Sequence, residues 1–167
     1  MWNRLALVLC VLLVLSPVQA QTVGEKAKLN HVDLFDGTRF DPKTVEGKPT
    51  LVYFWASWCP RCRQEMGALE KHYQANKDKG FTIVAINFRD KPENAKALIE
   101  SVKPISFLVG SINENWMSDY PKLHGTPTWM LLDKKGIIRK VIVGEEVIGG
   151  WRDRLEPELK KVIAEDG

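Results

Sequence analysis

Hydrophobic residues cluster along this chain in short runs that have the length and composition of β-strands. Two of them, residues 50–55 and 81–86, are continuous and rich in β-branched and aromatic residues. A run without polar alternation is typical of a strand covered on both faces of a sheet. Residues 128–132 predict a further strand, and the polar turn at 133–136 predicts that it pairs with a strand over 137–143.

Three longer segments have the apolar spacing or the end signals of helices. The segment 60–79 begins with a proline, which favours a first helical position, and Gly80 follows it as an end signal. The segments 92–102 and 151–164 repeat apolar residues at the spacing of one helix face, with Pro157 near the start of the second. The inward positions of these two helices are Ala95, Leu98, Ile99, Val102, Leu155, Leu159, Val162 and Ile163.

The remaining patterns complete an α/β fold with a central mixed sheet. Residues 31–40 alternate around Asp36-Gly37, which is the signal for a hairpin with a two-residue turn. Residues 105–109 predict an edge or connecting strand, and residues 114–120 predict a short helix. Because crossovers between parallel strands are right-handed, this order predicts helices on both faces of the sheet and an N-terminal hairpin extension.

The first twenty residues have the layout of a secretory signal peptide: Arg4, an unbroken apolar run over 5–15, and small residues before a cleavage site. The run is about half of the roughly 20 residues that a membrane-spanning helix needs. We therefore expect residues 1–20 to be removed on export, or else retained as an N-terminal anchor. Residues 21–30 predict a flexible leader, and residues 31–167 predict one folded domain. The predicted location is the periplasm, or the outer face of the cytoplasmic membrane if the anchor is retained.

Charge and cysteine content narrow the function. The chain has 24 basic and 21 acidic side chains, a net charge of +3 that is too small and too scattered for a nucleic-acid-binding protein. Of its three cysteines, Cys10 lies in the predicted signal segment, which leaves Cys59 and Cys62 as one pair in an oxidising compartment. We expect a monomer that needs no bound cofactor or metal, because the dithiol pair itself holds the electrons.

The cysteine pair falls where a predicted buried strand ends and a predicted helix begins. The free N–H groups of a helix N-terminus stabilise an anion, so a thiolate at Cys59 is favoured and reactive. Cys62, three residues later on the same helix face, can close a disulfide with it and resolve a mixed disulfide. Between the two cysteines, Pro60 stiffens the first turn of the helix and Arg61 adds a cation beside the Cys59 sulfur. We expect Cys59 to be exposed.

A structural disulfide and a metal site are the alternatives for this pair. A disulfide across so short a loop constrains the unfolded chain little. A zinc site needs two more ligands, and the histidines are scattered singly along the sequence. Their positions are His31, His72 and His124. A redox-active pair is therefore the favoured interpretation.

A second motif, Gly125-Thr126-Pro127-Thr128, stands directly before a predicted strand. Proline has no N–H to donate to a sheet, so it fits the start of a strand. From spacing alone the Thr126–Pro127 bond is expected to be trans, which is the isomer of most X–Pro bonds.

Together these motifs resemble the thioredoxin superfamily, and more closely its exported TlpA/ResA/DsbE (CcmG) branch. The resemblance covers residues 30–165, nearly the whole chain after the predicted signal peptide. The segments that carry it are residues 54–62, 63–65, 125–128 and 132–136, together with the Asp36-Gly37 hairpin.

This resemblance implies a thioredoxin fold with a cis bond before Pro127, which would pack against the cysteine pair. It also implies that the backbone of Thr126 pairs with a bound substrate segment. The implied activity is reduction of specific exported protein disulfides, often in cytochrome c maturation or copper-site assembly, with electrons from a membrane thiol donor of the DsbD/CcdA type. We also expect Trp58, Pro60 and Arg61, beside the reactive sulfur, to contribute to the substrate-binding surface.

Two positions differ from the patterns of these families. Tyr53 stands where thioredoxin has a buried Asp, so the proton acceptor must be another group. Asp90, after the second core strand, and Glu65, three residues after Cys62, are the candidates for proton transfer. Thr128 stands where the DsbE branch usually has Glu, which argues against a dedicated role in haem maturation.

Two alternatives to a reductase remain open from the sequence. The same fold could work in the opposite direction, as a disulfide oxidase or isomerase, and the acidity of Cys59 decides between these directions. Arg61 favours an oxidant by stabilising the thiolate, whereas the absence of His within the motif favours a reductant. The second alternative is a non-enzymatic copper chaperone, since soft thiolates bind Cu(I).

Overall fold

The computed structural model describes residues 22–112, 125–144 and 151–165. The predicted signal peptide, the predicted short helix over 114–120 and His124 lie outside the described residues. Within the described part of the chain, no helix is long and apolar enough to cross a membrane.

The described elements form one mixed sheet with α-helices packed on it. The strands are β1 (Val32–Leu34), β2 (Arg39–Phe40), β3 (Thr50–Trp55), β4 (Thr82–Asn87), β5 (Leu108–Ser111), β6 (Thr128–Leu132) and β7 (Ile138–Val143). The α-helices are α1 (Pro60–Asn76), α2 (Pro92–Ser101) and α3 (Trp151–Ala164). The strand order is β2-β1-β5-β4-β3-β6-β7, with β3, β4 and β5 parallel and the other neighbours antiparallel.

β3 lies inside the sheet between β4 and β6, and every one of its residues is buried, as its continuous apolar sequence predicts. Its side chains alternate between two hydrophobic clusters. Tyr53 and Trp55 point to the cluster that contains both cysteines, and Val52 and Phe54 point to the cluster on the other face. The C-terminal end of β3 is therefore held on both edges and both faces before the chain turns into α1.

All three described α-helices pack on the same face of the sheet, and the further helix predicted over 114–120 lies outside the described residues. Their buried hydrophobic residues belong to the cluster that contains Tyr53 and Trp55. The steps from β3 to β4 and from β4 to β5 run in the same direction across the sheet, so two right-handed crossovers place α1 and α2 on one side. The opposite face is covered by Phe40, by a turn of 3₁₀ helix that buries Val45, and by the segment around Leu29.

The predicted hairpin is present, but its turn is longer than predicted. The Leu34 N–H donates to the Thr38 carbonyl, so residues 35–37 form the loop, and Gly37 adopts a positive φ of 89° that favours glycine. β1 also pairs with β5. The strand predicted over 105–109 as an edge or connecting strand begins at Leu108 and lies inside the sheet, between β1 and β4.

Residues 24–27, within the predicted flexible leader, are hydrogen-bonded to the start of β7. The Gly24 N–H donates to the Ile138 carbonyl at 2.8 Å, and the Ala27 N–H donates to the Gly136 carbonyl at 2.9 Å. Lys26 forms a bridge with Ile137 between these bonds. This segment therefore adds a short stretch of backbone pairing at the outer edge of β7.

The close packing of β1 on β5 can be tested at Gly110. A Cβ added there would lie 2.6 Å from the Asp33 carbonyl oxygen and 2.7 Å from Val32 Cγ1. We predict that Gly110→Ala lowers the free energy of unfolding in urea by about 1–3 kcal/mol, because the strands must separate to fit the methyl group. Gly67→Ala in α1 is the matched control: a Cβ there meets nothing within 4 Å, so we expect stabilisation of up to about 1 kcal/mol. Equal stability of Gly110→Ala and the wild type would contradict this packing.

Candidate active site

The cysteine pair lies at the junction between β3 and α1. Cys59 is the N-cap of α1, with extended backbone angles of φ −85° and ψ 109°, and Pro60 occupies the first helical position. The Cys62 N–H donates a hydrogen bond to the Cys59 sulfur at 3.2 Å. The sulfur thus occupies the position where a capping oxygen normally satisfies a free helical N–H, and it lies in the field of the helix N-terminus.

Cys59 and Cys62 are joined as a disulfide with a Cα–Cα distance of 5.3 Å, which lies within the usual range. Cys62 is fully buried. The predicted exposure of Cys59 is wrong for the disulfide state, in which the residue is only 4% exposed. The physical reason is its role as a cap, because the sulfur turns back toward the first turn of α1.

Trp58 is an exposed aromatic residue beside the disulfide. Its side chain is 58% exposed, and its indole Nε1–H donates to the Arg89 carbonyl at 3.0 Å. Arg89 has a positive φ of 48°, and its guanidinium lies 5.0 Å from the centre of the Phe88 ring. The loop after β4 therefore fixes the orientation of the Trp58 indole.

Asp90 connects the same loop to the turn before Cys59. Its Oδ2 accepts hydrogen bonds from the Ser57 N–H at 2.5 Å and from the Asn87 side-chain amide at 2.9 Å. Its Oδ1 accepts from the Ser57 hydroxyl at 2.9 Å and from the Lys91 N–H at 2.8 Å. Partial burial alone would raise the pKa of Asp90, but these hydrogen bonds outweigh it and hold the pKa below its ordinary value. Asp90 is thus a fully bonded carboxylate that anchors the turn.

Glu65 is the buried carboxyl of the site, with 8% exposure. Its Oε1 lies 3.4 Å from Arg61 Nε, while its Oε2 has no hydrogen-bond partner among the described residues. Burial raises the pKa of Glu65 to about 7, and the Arg61 charge opposes part of that increase. The Arg61 cation, predicted to act on the thiolate, is therefore shared with a carboxylate.

Tyr53 places a second polar group in the cluster that contains the cysteines. Its hydroxyl is buried and has no hydrogen-bond partner within the described ranges. Burial raises the pKa of Tyr53 well above its ordinary value, and the charge of Glu65 raises it further. Tyr53 and Glu65 are thus electrostatically linked inside the protein, at the position where the sequence departs from the thioredoxin pattern.

Pro127 stands at the start of the strand next to β3. Its bond to Thr126 is cis, which confirms what the resemblance implies and differs from the expectation from spacing alone. Because Phe54 pairs with Thr128, Pro127 falls beside the end of β3 from which the cysteine turn begins. The Pro127 carbonyl accepts a hydrogen bond from the Gly144 N–H at 2.7 Å. A second cis bond joins Lys103 to Pro104, and no motif in the sequence marks it.

Several residues of the site were not singled out by their sequence pattern. Ser57 and Asn87 hold Asp90, and the Arg89 carbonyl holds Trp58. Ser57 is 33 residues from Asp90, and Arg89 is 31 residues from Trp58 and acts through its backbone, so no local motif marks these two. Asn87 is only three residues from Asp90, but an asparagine at that spacing is no recognised motif. Among residues 22–112, 125–144 and 151–165, no group of three or more His, Cys, Asp or Glu side chains is arranged to hold a metal ion.

The position of the disulfide distinguishes it from a purely structural one. It closes a short loop at a helix N-terminus, where its sulfur is the cap, and a cis-proline begins the adjacent strand at the same end of the sheet. This combination on a mixed sheet defines a thiol–disulfide oxidoreductase of the thioredoxin fold. Residues 22–163 match the Redoxin family, and the chain belongs to that family.

Curated relatives of this chain are named as thioredoxin-like or thiol–disulfide exchange proteins. The chain is 32% identical over 123 residues to the thioredoxin-like protein YneN of Bacillus subtilis, covering 72% of this chain and 71% of the relative. It is 33% identical over 130 residues to the thiol:disulfide interchange protein DsbE of Pseudomonas aeruginosa, covering 76% and 68%. It is 27% identical over 179 residues to the thiol-disulfide oxidoreductase ResA of Bacillus thuringiensis, covering 96% and 97%.

Solved structures confirm the thioredoxin fold. A crystal structure from Chlorobium tepidum, assigned as a thiol:disulfide interchange protein DsbE, aligns with a TM-score of 0.77 and 26% identity over 87% of this chain and all of that chain. The thioredoxin domain of a thiol-disulfide oxidoreductase from Bacteroides vulgatus aligns with a TM-score of 0.71 and 27% identity over 85% and 98%. The protein is therefore an oxidoreductase that acts on protein thiols and disulfides.

The raised pKa of Glu65 predicts a pH-dependent stability of the disulfide form. Folded Glu65 keeps its proton up to a pKa of about 7, whereas the unfolded side chain loses it near 4.5. The free energy of unfolding should therefore fall as pH rises from about 4.5 to 7, by about 2 kcal/mol after allowing for solvent screening near Arg61. Glu65→Gln should remove this slope in urea titrations, while Glu93→Gln, at an exposed position of α2, should keep it. Identical slopes in Glu65→Gln and the wild type would refute the assignment.

Proposed function

We propose that this oxidoreductase acts outside the cytoplasm as a reductase of protein disulfides. The observation that carries the proposal is the hydrogen bond from the Cys62 N–H to the Cys59 sulfur, because it places one sulfur at the helix N-terminus and keeps the other buried behind it. The pairing of Arg61 with Glu65 supports the reducing direction, since it weakens the cation that would otherwise stabilise the Cys59 thiolate.

In this proposal the reduced protein transfers two electrons in two exchange steps. The Cys59 thiolate attacks one sulfur of the client disulfide, a bond forms between them, and the other client sulfur leaves as a thiolate that takes up a proton. The Cys62 thiolate then attacks the Cys59 sulfur, and the second client thiolate leaves. The client disulfide ends as two thiols, and Cys59 and Cys62 end as a disulfide. The protein pair holds the electrons, so the cycle needs no bound cofactor.

Glu65 is the proposed acceptor for the proton of Cys62. It lies one helical turn after Cys62, where side chains three residues apart are neighbours, and it is buried on the same side as Tyr53. A carboxylate with a pKa of about 7 can accept and release a proton near neutral pH. Asp90, the other candidate from the sequence, has a lowered pKa and four hydrogen bonds, which fit a positioning role for the turn before Cys59.

The client segment is proposed to lie along the loop before β6, with the Thr126 backbone pairing with it as an added strand. The position of Pro127 next to the end of β3 supports this arrangement. Trp58, Pro60 and Arg61 would border the segment from the α1 side.

A reductase in an oxidising compartment requires a continuous supply of electrons. We propose that the oxidised pair is reduced by a membrane thiol donor of the DsbD/CcdA type, in keeping with an exported monomer that carries an N-terminal signal or anchor segment. The supporting observation is the apolar run that precedes the described residues, together with the single pair of cysteines that follows it.

The direction of electron flow can be tested by the reduction potential of the Cys59–Cys62 pair. The protein is equilibrated in redox buffers of defined potential, and its dithiol and disulfide forms are quantified after thiol trapping. We predict a midpoint potential of about −270 mV, as in thioredoxin, which is a reductant. Arg61→Gln should change the midpoint little, because its charge is shared with Glu65. A midpoint close to about −120 mV, as in a strong oxidant, would contradict the reductase and favour the oxidase alternative.

A further inference from the structure

A groove of about 440 Å³ opens beside the disulfide, on the side away from the cis-proline. We call it the α2 groove: Trp58 and Arg63 line it from the α1 side, and Asn94, Ala97 and Leu98 line it from α2. α2 follows β4, whereas Pro127 begins β6 on the opposite edge of β3. The α2 groove is therefore separate from the strand-pairing site proposed at Thr126 but meets it at the cysteine turn.

The apolar part of the α2 groove is rigid and accessible. Trp58 is one of three large exposed hydrophobic side chains in the described ranges, with Val23 and Val141. Its indole N–H is already bonded to the Arg89 carbonyl, so the ring keeps one orientation and needs no hydrogen bond from a partner. A fixed aromatic ring supplies large contact area at low entropic cost, which is typical of binding surfaces.

The lining of the α2 groove contains one cation, Arg63. Arg63 is exposed and forms no ion pair within the described part of the chain, and no carboxylate lines the groove. Asp90, which bonds to the lining residue Ser57, keeps its negative charge, but its two oxygens already accept four hydrogen bonds from neutral donors. Such a surface complements an acidic group on a partner.

We propose that the α2 groove binds the client polypeptide beside its reacting cysteine and selects an acidic side chain through Arg63, while Trp58 packs on the apolar part of the client. Arg63 follows Cys59 by four residues, about 6 Å along the helix axis. An extended client covers that length in about two residues, so the acidic side chain stands two residues from the client cysteine. This selection rests on the proposed reductase function, since it acts on the client that Cys59 attacks.

Two peptide disulfides test the selection. Each is a dimer of one short peptide linked through its single cysteine, and the two differ only in having Asp or Asn at the positions two residues from that cysteine. The full-length protein is reduced, freed of reductant, and mixed with each peptide, and the second-order rate constants of disulfide reduction are compared. At low salt we expect the wild type to reduce the Asp peptide about three- to fivefold faster, as a solvent-accessible ion pair allows.

Substitutions distinguish the contribution of the Arg63 charge from that of the Trp58 ring. Arg63→Gln should bring the ratio of the two rate constants to about one, whereas Lys71→Gln, which removes the same charge from an exposed site further along α1, should keep the wild-type ratio. Trp58→Ala should slow both peptides by a similar factor. High salt should lower the rate for the Asp peptide toward that for the Asn peptide.

The results that would contradict the acidic selection can be told apart from those that would contradict the reductase function. Equal reduction of both peptides by the wild type would overturn the selection and leave the reductase function intact. A ratio that survives in Arg63→Gln would equally overturn it, because another group would then recognise the acid. Failure to reduce either peptide would overturn the reductase function and this selection together.

Discussion

The environment of the reactive sulfur depends on the hydrogen bond from the Cys62 N–H to the Cys59 sulfur, and the fold sets the position of this bond. The bond exists because a fully buried strand ends at Trp55 and a helix begins at Pro60, so that Cys59 must cap the helix. In that position the sulfur lies in the field of the free N–H groups, and the second cysteine of the pair is placed one turn inside. The two sulfurs therefore differ in environment although they are neighbours.

The strands on either side of β3 hold this junction in place. Because β4 is parallel to β3, the loop that follows β4 reaches the turn before Cys59, where Asp90 binds Ser57 and the Arg89 carbonyl binds Trp58. Because β6 is antiparallel, it begins at the same end, which brings Pro127 to the other side. The mixed sheet is thus the physical reason why residues from three distant parts of the chain surround one disulfide.

The sequence predicts those parts of this arrangement that depend on residues adjacent in the chain. The continuous run of β3, the start of α1 and the cysteine spacing are local, and the structure has them where they are predicted. The cis bond at Pro127 followed from family resemblance, since spacing does not fix an isomer. The burial of Cys59, the bonding of Asp90 to Ser57 and the placement of three helices on one face depend on contacts and strand order that no local pattern encodes.

We propose that capping makes Cys59 the nucleophile of the pair, and the pH dependence of alkylation is the decisive test of this role. The fully reduced protein is treated with iodoacetamide across a pH series, and the modified cysteine is identified by peptide mass spectrometry. We predict that Cys59 reacts first, with an apparent pKa below the ordinary thiol value of about 8.5, and that Cys62 stays protected. Reaction of Cys62 before Cys59, or a Cys59 pKa at or above about 8.5, would show that capping does not make Cys59 the nucleophile.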